Sequence, residues 1–241
     1  MQTTTSNEHF KLTLPFVGRR KEVAQLERLH AQAKQALILG PVGVGKTELV
    51  RHFASRLPLL ICPESVLLSE IYSALEGQLG LDAGDLKLVP RKNRVLRALA
   101  GSKRTVVFDG LGWTTPKLSS FLECVMARVP VWIAARSDHS WDIGHVWPLL
   151  NRVERVELHS FQPTETRALV EAAVEAGLIP GEALEVVKWL HYRSEGSPLV
   201  LRELLEELAA HPCDLSNPHA LRRLDLDRRI HEVFPTTLVS K

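Results

Sequence analysis

The sequence predicts an α/β fold, a five-stranded parallel sheet flanked by helices and followed by a small all-α domain. Three observations carry that expectation. Short apolar runs recur at residues 36–39, 57–62, 105–108, 131–135 and 155–158, each of a length suited to a buried strand. Patterns with helical spacing fill the gaps between them, as the crossovers of a parallel sheet require. Beyond Gln162 the apolar runs stop and helical patterns alone remain. Strands alternating with helices, then helices only, describe a sheet domain and a helical companion.

Composition is compatible with this division. A chain of 241 residues, 45% hydrophobic and 24% charged, has ordinary globular content and enough apolar material for a large core. The net charge of +2 neither demands nor excludes a nucleic-acid partner. Cys62, Cys124 and Cys213 are widely spaced and form no Cys-x-x-Cys pair, so neither zinc nor a disulfide framework is indicated and a cytoplasmic setting is expected. The first residues lack the charged start and apolar centre of a secretory signal. No apolar run reaches the length of a bilayer span, so no membrane association is expected.

Residues 1–14 are polar and rich in Thr and Ser, and read as a flexible arm. Val23, Leu26 and Leu29 then recur on one helical face. The first strand, 36–39, ends at Gly40, and helical spacing resumes over 48–57. The second strand, 57–62, precedes an amphipathic helix over 66–79 and a basic helix over 91–100 that closes at Gly101-Ser102. The third strand, 105–108, ends at Asp109, and a helix over 118–129 leads to the fourth, 131–135, which ends at Arg136. The fifth, 155–158, alternates as an edge strand does. Helices are expected over 164–176, capped by Thr164, over 182–192 after Pro180-Gly181, and over 198–210. The expected divisions are an arm over 1–14, a sheet-bearing core over 15–161, a small helical domain over 162–211 and an extension over 212–241.

The motif with the clearest chemistry is Gly40-Pro41-Val42-Gly43-Val44-Gly45-Lys46-Thr47, which fits G-x-x-x-x-G-K-[ST]. Glycines let backbone N–H groups turn inward around a phosphate, because glycine tolerates positive φ and offers no side chain to block approach. The helix that follows adds the partial positive charge of its N-terminus. Lys46 can neutralise the β- and γ-phosphates, and the Thr47 hydroxyl can ligate Mg2+. The expected ligands are therefore ATP or ADP with Mg2+.

Asp109, at the exit of an apolar strand, is the second expected metal residue, alongside Thr47. Position 110, where many hydrolysing P-loop proteins carry a water-polarising glutamate, is Gly110. Glu64, just past the second strand, is an alternative acid, though a solvated turn residue is the simpler reading. Arg136 stands where a side chain can sense the γ-phosphate through charge-assisted hydrogen bonds. Lys46, Asp109 and Arg136 are thus the candidate catalytic residues.

With these elements placed, the chain resembles the AAA+/STAND branch of P-loop ATPases over residues 15–210. FVGRRKEVAQLERL looks like the opening box of these modules, GPVGVGKT like Walker A, VVFDG like a short Walker B, AARS like their strand-end arginine, and Gly196-Ser197-Pro198-Leu199 like the turn that opens a lid helix. The resemblance implies an adenine pocket lined by Phe16, Val17, Gly18 and Arg19. It also implies phosphate contacts along Gly40–Thr47 and Glu48, and a lid residue at Pro198. Residues 212–241 are too few for the complete winged helix that such proteins often append.

The resemblance implies a nucleotide-dependent conformational or assembly switch, acting with copies of itself or a protein partner, with slow or partner-assisted hydrolysis. Two alternatives stay open at this point. One is a DNA-associated AAA+ ATPase, using the basic clusters Arg91-Lys92-Asn93-Arg94 and Arg222-Arg223 with Arg228-Arg229. The other is a non-hydrolysing scaffold that keeps ATP as a structural ligand.

Overall fold

The structure, a computed structural model, describes residues 12–62, 64, 67–82, 86–137 and 139–233. The chain forms two compact units, one of Arg19–His159 and the other of residues 12–18 with 160–233.

In the first unit, strands β1 (Ala36–Leu39), β2 (Leu59–Cys62), β3 (Thr105–Leu111), β4 (Val131–Ala135) and β5 (Glu154–Glu157) make a parallel sheet in the order β2-β3-β4-β1-β5. Its helices are α1 (Arg20–Ala31), α2 (Lys46–Ala54), α3 (Leu68–Leu79), α4 (Leu88–Ser102), α5 (Pro116–Met126) and the short α6 (Ser140–Ile143) and α7 (Trp147–Leu150). Central strands covered on both faces must be apolar throughout. β1 (ALIL) and β4 (VWIAA) are buried at every residue, whereas β5 (ERVE) buries Val156 and exposes Arg155 and Glu157 at the sheet edge.

The two faces have separate cores. Leu37, Leu60, Val106, Phe108 and Ile133 pack with Ile71 and Leu75 of α3, Val95 and Leu99 of α4, and Phe121 and Leu122 of α5. On the other face Trp132 is fully buried, with Phe53 of α2 edge-on at 5.3 Å. Two strand boundaries differ from the sequence expectation. β2 begins at Leu59 because Pro58, lacking an N–H, delays pairing. β3 continues past Asp109 to Leu111, with a register shift against β4 between Phe108 and Leu111.

The second unit holds α8 (Pro163–Glu175), a 3-10 turn (Gly181–Leu184), α9 (Val187–Ser194), α10 (Pro198–Ala210) and α11 (Pro218–Val233). The cap of α8 is Gln162 and not Thr164. Gln162 and Glu165 form a capping box, Pro163 takes the first helical position, and Thr164 lies inside the helix. The helix expected over 182–192 is split, because residues 181–184 adopt 3-10 geometry and α9 starts after Val186, at a pair of β-branched valines. Most of the arm expected over 1–14 lies outside the described residues. Leu12 nevertheless belongs to the helical core, 5% exposed, and its N–H donates to Glu206 Oε1 at 3.1 Å.

Helix α11 lies in the expected extension and packs on α10 through Leu221 and Leu224. Gly196, before α10, has φ 69°, and a Cβ there would lie 2.4 Å from the Phe161 carbonyl oxygen. Glycine is therefore required at this turn. Ser197 then caps α10, accepting from the Val200 N–H, and Pro198 occupies the first turn.

Candidate phosphate site

β1 lies between β4 and β5, and its C-terminal end runs directly into the glycine loop. In open α/β sheets this end of the strands is where ligands bind. The loop's shape follows from three glycines. A Cβ on Gly40 would meet the Leu158 carbonyl oxygen at 2.7 Å and Val44 Cγ1 at 2.8 Å. Gly43 (φ 77°) and Gly45 (φ 97°) take left-handed backbone conformations that side-chain-bearing residues adopt at a cost. Val44, 2% exposed, anchors the loop, while Val42 at its tip is 62% exposed.

Arg19 contributes more than the motif reveals. The residue is 4% exposed, and its guanidinium donates to the Val44 carbonyl at 2.9 Å and lies 3.5 Å from Glu22. It braces the loop from behind. No sequence signal other than its place in the opening box points to this contact.

α2 begins at Lys46 with Gly45 as its N-cap, and no side chain caps it. The N–H groups of its first turn and its dipole are thus available to an anion. Lys46 Nζ donates to the carbonyls of Gly40 at 2.6 Å and Pro41 at 2.9 Å, curling over the loop. Burial and then the Arg136 charge push its pKa below the usual lysine range, opposed by Asp109. Lys46, Arg136 and Asp109 therefore share one electrostatic neighbourhood. Two cations that disfavour each other are relieved by a polyanion placed between them.

Thr47 Oγ1 donates to Asp109 Oδ1 at 3.2 Å, so the hydroxyl at the start of α2 and the carboxylate at the end of β3 meet. Mg2+ prefers a few hard oxygen ligands supplemented by water and phosphate oxygens. Thr47 and Asp109 fit that preference. Among the described residues no three His, Cys, Asp or Glu side chains gather into a metal cage. Phosphate oxygens would have to complete the coordination. Glu48 turns its carboxylate to Arg51, 2.5 Å away on the same helix.

The described positions of the expected residues fall into two groups. Gly40, Pro41, Val42, Gly43, Val44, Gly45, Lys46, Thr47, Glu48, Asp109, Arg136 and Arg19 lie in the sheet unit. Phe16, Val17, Gly18 and Pro198 lie in the helical unit, where Val17 packs against the helical core, Gly18 has φ 71°, and Pro198 opens α10.

Asp109 sits at a conflict between function and stability. Burial pushes its carboxyl above the ordinary value of 3.8; the Thr47 bond and the Arg51 and Lys46 charges oppose this, and the Glu64 charge adds to it. A carboxyl with a raised folded-state pKa penalises the folded form wherever it is ionised there, and the penalty vanishes below the unfolded value. Asp109→Asn is therefore expected to raise the melting temperature of the nucleotide-free protein at pH 7, with the gain shrinking toward pH 3. The same variant is expected to lose most of the Mg2+ dependence of nucleotide binding. A melting temperature that falls at pH 7 contradicts this account of Asp109.

A glycine loop leading from a central parallel strand into a helix, with lysine and threonine at its start and an acidic strand end beside it, defines a P-loop nucleotide-binding core. Solved structures with this architecture resemble the whole arrangement. A Walker-type ATPase of Pyrococcus abyssi superposes with a TM-score of 0.65 at 17% identity, covering 92% of this chain and 74% of that one. The Orc1 protein of Aeropyrum pernix in complex with DNA gives 0.62 at 16% identity, covering 98% and 72%. A STAND protein with a tetratricopeptide repeat sensor from Pyrococcus horikoshii gives 0.50 at 15%, covering 90% of this chain but 33% of that one. No protein-family model matches the chain, and no curated protein matches it in sequence. The chain has the P-loop AAA+ fold, with its parallel five-stranded sheet and a helical C-terminal part.

Proposed function

We propose that this chain is an ATP-binding, AAA+/STAND-like ATPase that acts as a nucleotide-dependent conformational or assembly switch, with slow or partner-assisted hydrolysis. The observation that carries the reading is the convergence of Lys46, the Thr47–Asp109 contact and Arg136 around one glycine loop. Lys46 and Arg136 hold the β- and γ-phosphates, and Thr47 and Asp109 hold Mg2+. Arg136 loses its phosphate contacts when the γ-phosphate leaves, so ATP and ADP stabilise different states to the extent of that difference. Phe16, Val17, Gly18, Arg19 and Pro198 take the base and lid roles that the resemblance assigns. The partner is a second copy of the chain or another protein, in a cytoplasmic setting; no helix among the described residues is long and apolar enough to cross a membrane.

The DNA-associated alternative finds less support in the basic clusters. Arg91 and Arg94 both pair with Glu76, at 2.6 and 2.7 Å. In the helical unit Arg228 pairs with Glu203 at 3.1 Å, Arg229 with Asp225 at 3.1 Å, and Arg223 lies 3.5 Å from Asp227. An arginine held by a carboxylate must weaken that pair to take a phosphate, which lowers what these five contribute. The switch reading predicts different particle sizes or shapes for the ATP- and ADP-loaded protein in light scattering and small-angle scattering. Identical profiles with both nucleotides bound would leave the scaffold reading in its place.

A further inference from the structure

The sequence leaves no acid directly after Asp109, yet the fold returns one to that place. β2 and β3 pair in parallel with Cys62 opposite Phe108. Beyond the end of β2, Glu64 lies beside Gly110. The side-chain geometry agrees. A Cβ built on Gly110 would lie 3.0 Å from Glu64 Oε2 and 3.1 Å from Glu64 Cδ and Cβ. The carboxylate of Glu64 thus covers the surface that a side chain at position 110 would occupy. Gly110 itself has φ 79°, so a glutamate there would be strained as well as obstructed.

Two further observations place this carboxylate at the phosphate site. Gly110, which Glu64 covers, directly follows Asp109, the acid that meets Thr47. Glu64 is also exposed and has no hydrogen-bond or ion-pair partner among the described residues. A carboxylate held by a cation or an N–H group would have lone pairs already occupied. This one is open to water.

We propose that Glu64, delivered from the end of the neighbouring strand, is the carboxylate that orients and deprotonates the attacking water in ATP hydrolysis. The proposal rests on the nucleotide-binding reading of the glycine loop. In the step itself the water oxygen forms a bond to the γ-phosphorus. The bond from that phosphorus to the β,γ-bridging oxygen breaks, and its electron pair leaves with ADP. The water proton passes to Glu64 and on to solvent. Asp109 stays with the metal, so the two acids have separate tasks. Gly110 is then the residue that makes room for Glu64.

The test compares the parent chain with Glu64→Gln, which keeps size and loses the base. Both are titrated with a non-hydrolysable ATP analogue and Mg2+. Both are then loaded with ADP, Mg2+ and aluminium fluoride, a mimic of the transferring phosphoryl group whose retention needs no turnover. In a third arm, single-turnover hydrolysis is followed by chromatography of the bound nucleotide. General-base catalysis is worth about 100- to 10,000-fold. The expected result is analogue affinity unchanged within about threefold, with retention of the aluminium fluoride complex lost, and hydrolysis down at least about a hundredfold. Glu64→Gln that holds ADP and aluminium fluoride as the parent does, or hydrolyses within about threefold of it, overturns the proposal. A parent that binds Mg2+ and ATP yet forms no aluminium fluoride complex also overturns it while leaving the binding site standing. A parent that binds no nucleotide overturns the underlying reading instead.

Discussion

Replacing Lys46 with alanine abolishes measurable binding of ATP and ADP at micromolar protein, while leaving the melting temperature of the nucleotide-free protein within a few degrees of the parent. The reasons lie on both sides of the equilibrium. Lys46 is the cation at the start of α2, and in the absence of phosphate it is satisfied by two loop carbonyls, those of Gly40 and Pro41. Those carbonyls can be solvated by water when the ammonium is removed, since Pro41 is exposed and Gly40 is only partly covered. Burial and Arg136 already work against the charge on Lys46, so losing it costs the apo fold little. The nucleotide loses charge-assisted hydrogen bonds together worth about 3 kcal/mol or more, or at least about a hundredfold in Kd. Equilibrium titration with a fluorescent ATP analogue reads the binding, and a thermal melt reads the fold. Unchanged affinity would contradict the assignment of the loop as the phosphate site.

The largest expected loss of stability comes from a different residue. Glu76 of α3 is 1% exposed and accepts from Arg91 and Arg94 of α4. Removing one partner of a buried ion pair leaves charge without compensation, at about 3–5 kcal/mol. The two arginines keep 14% and 25% of their side-chain surface, so some of their charge is solvated and the lower end applies. Glu76→Gln is accordingly expected to destabilise the protein by about 3 kcal/mol at pH 7 in urea or thermal unfolding.

The pH dependence of that loss has a fixed sign. The Arg91 hydrogen bonds, then the Arg94 bonds and both charges, hold the Glu76 carboxyl below its ordinary value of 4.5, against the opposing effect of burial. Its stabilising contribution is thus complete above about pH 5 and declines as pH falls through 4.5 toward the folded-state value. The gap between parent and Glu76→Gln narrows over that range. A gap that widens with acid would show that the arginines do not hold the carboxylate in its charged form.

Much of this was legible in the sequence because the strands are short, apolar and punctuated. Residues 36–39 and 131–135 read as strands once Gly40 and Arg136 marked their exits, and the structure places both inside the sheet. The glycine loop was legible because glycine suits its backbone: a Cβ on Gly40 would clash, and Gly43 and Gly45 take left-handed conformations that other residues adopt at a cost. What could not be read were contacts between distant segments. The Arg19 bond to Val44 spans 25 residues and has no periodicity to betray it. Helix α11 was missed because charges interrupt its pattern. Arg228 and Asp225 are buried there as partners of each other and of Glu203 and Arg193, so half of its inward face reads as solvent-facing. Glu64 shows the limit most clearly. As a residue in sequence it looks like a solvated turn, and only the fold, which sets β2 beside β3, brings it to Gly110.

The convergence of Lys46, Thr47, Asp109 and Arg136 on one nucleotide is tested most directly by isothermal titration of the purified chain with ATP, with and without Mg2+. The account predicts one site per chain, micromolar or tighter, strengthened by Mg2+ in the parent and no longer strengthened in Asp109→Asn. Absence of saturable binding, or binding that ignores Mg2+ in both proteins, would contradict it.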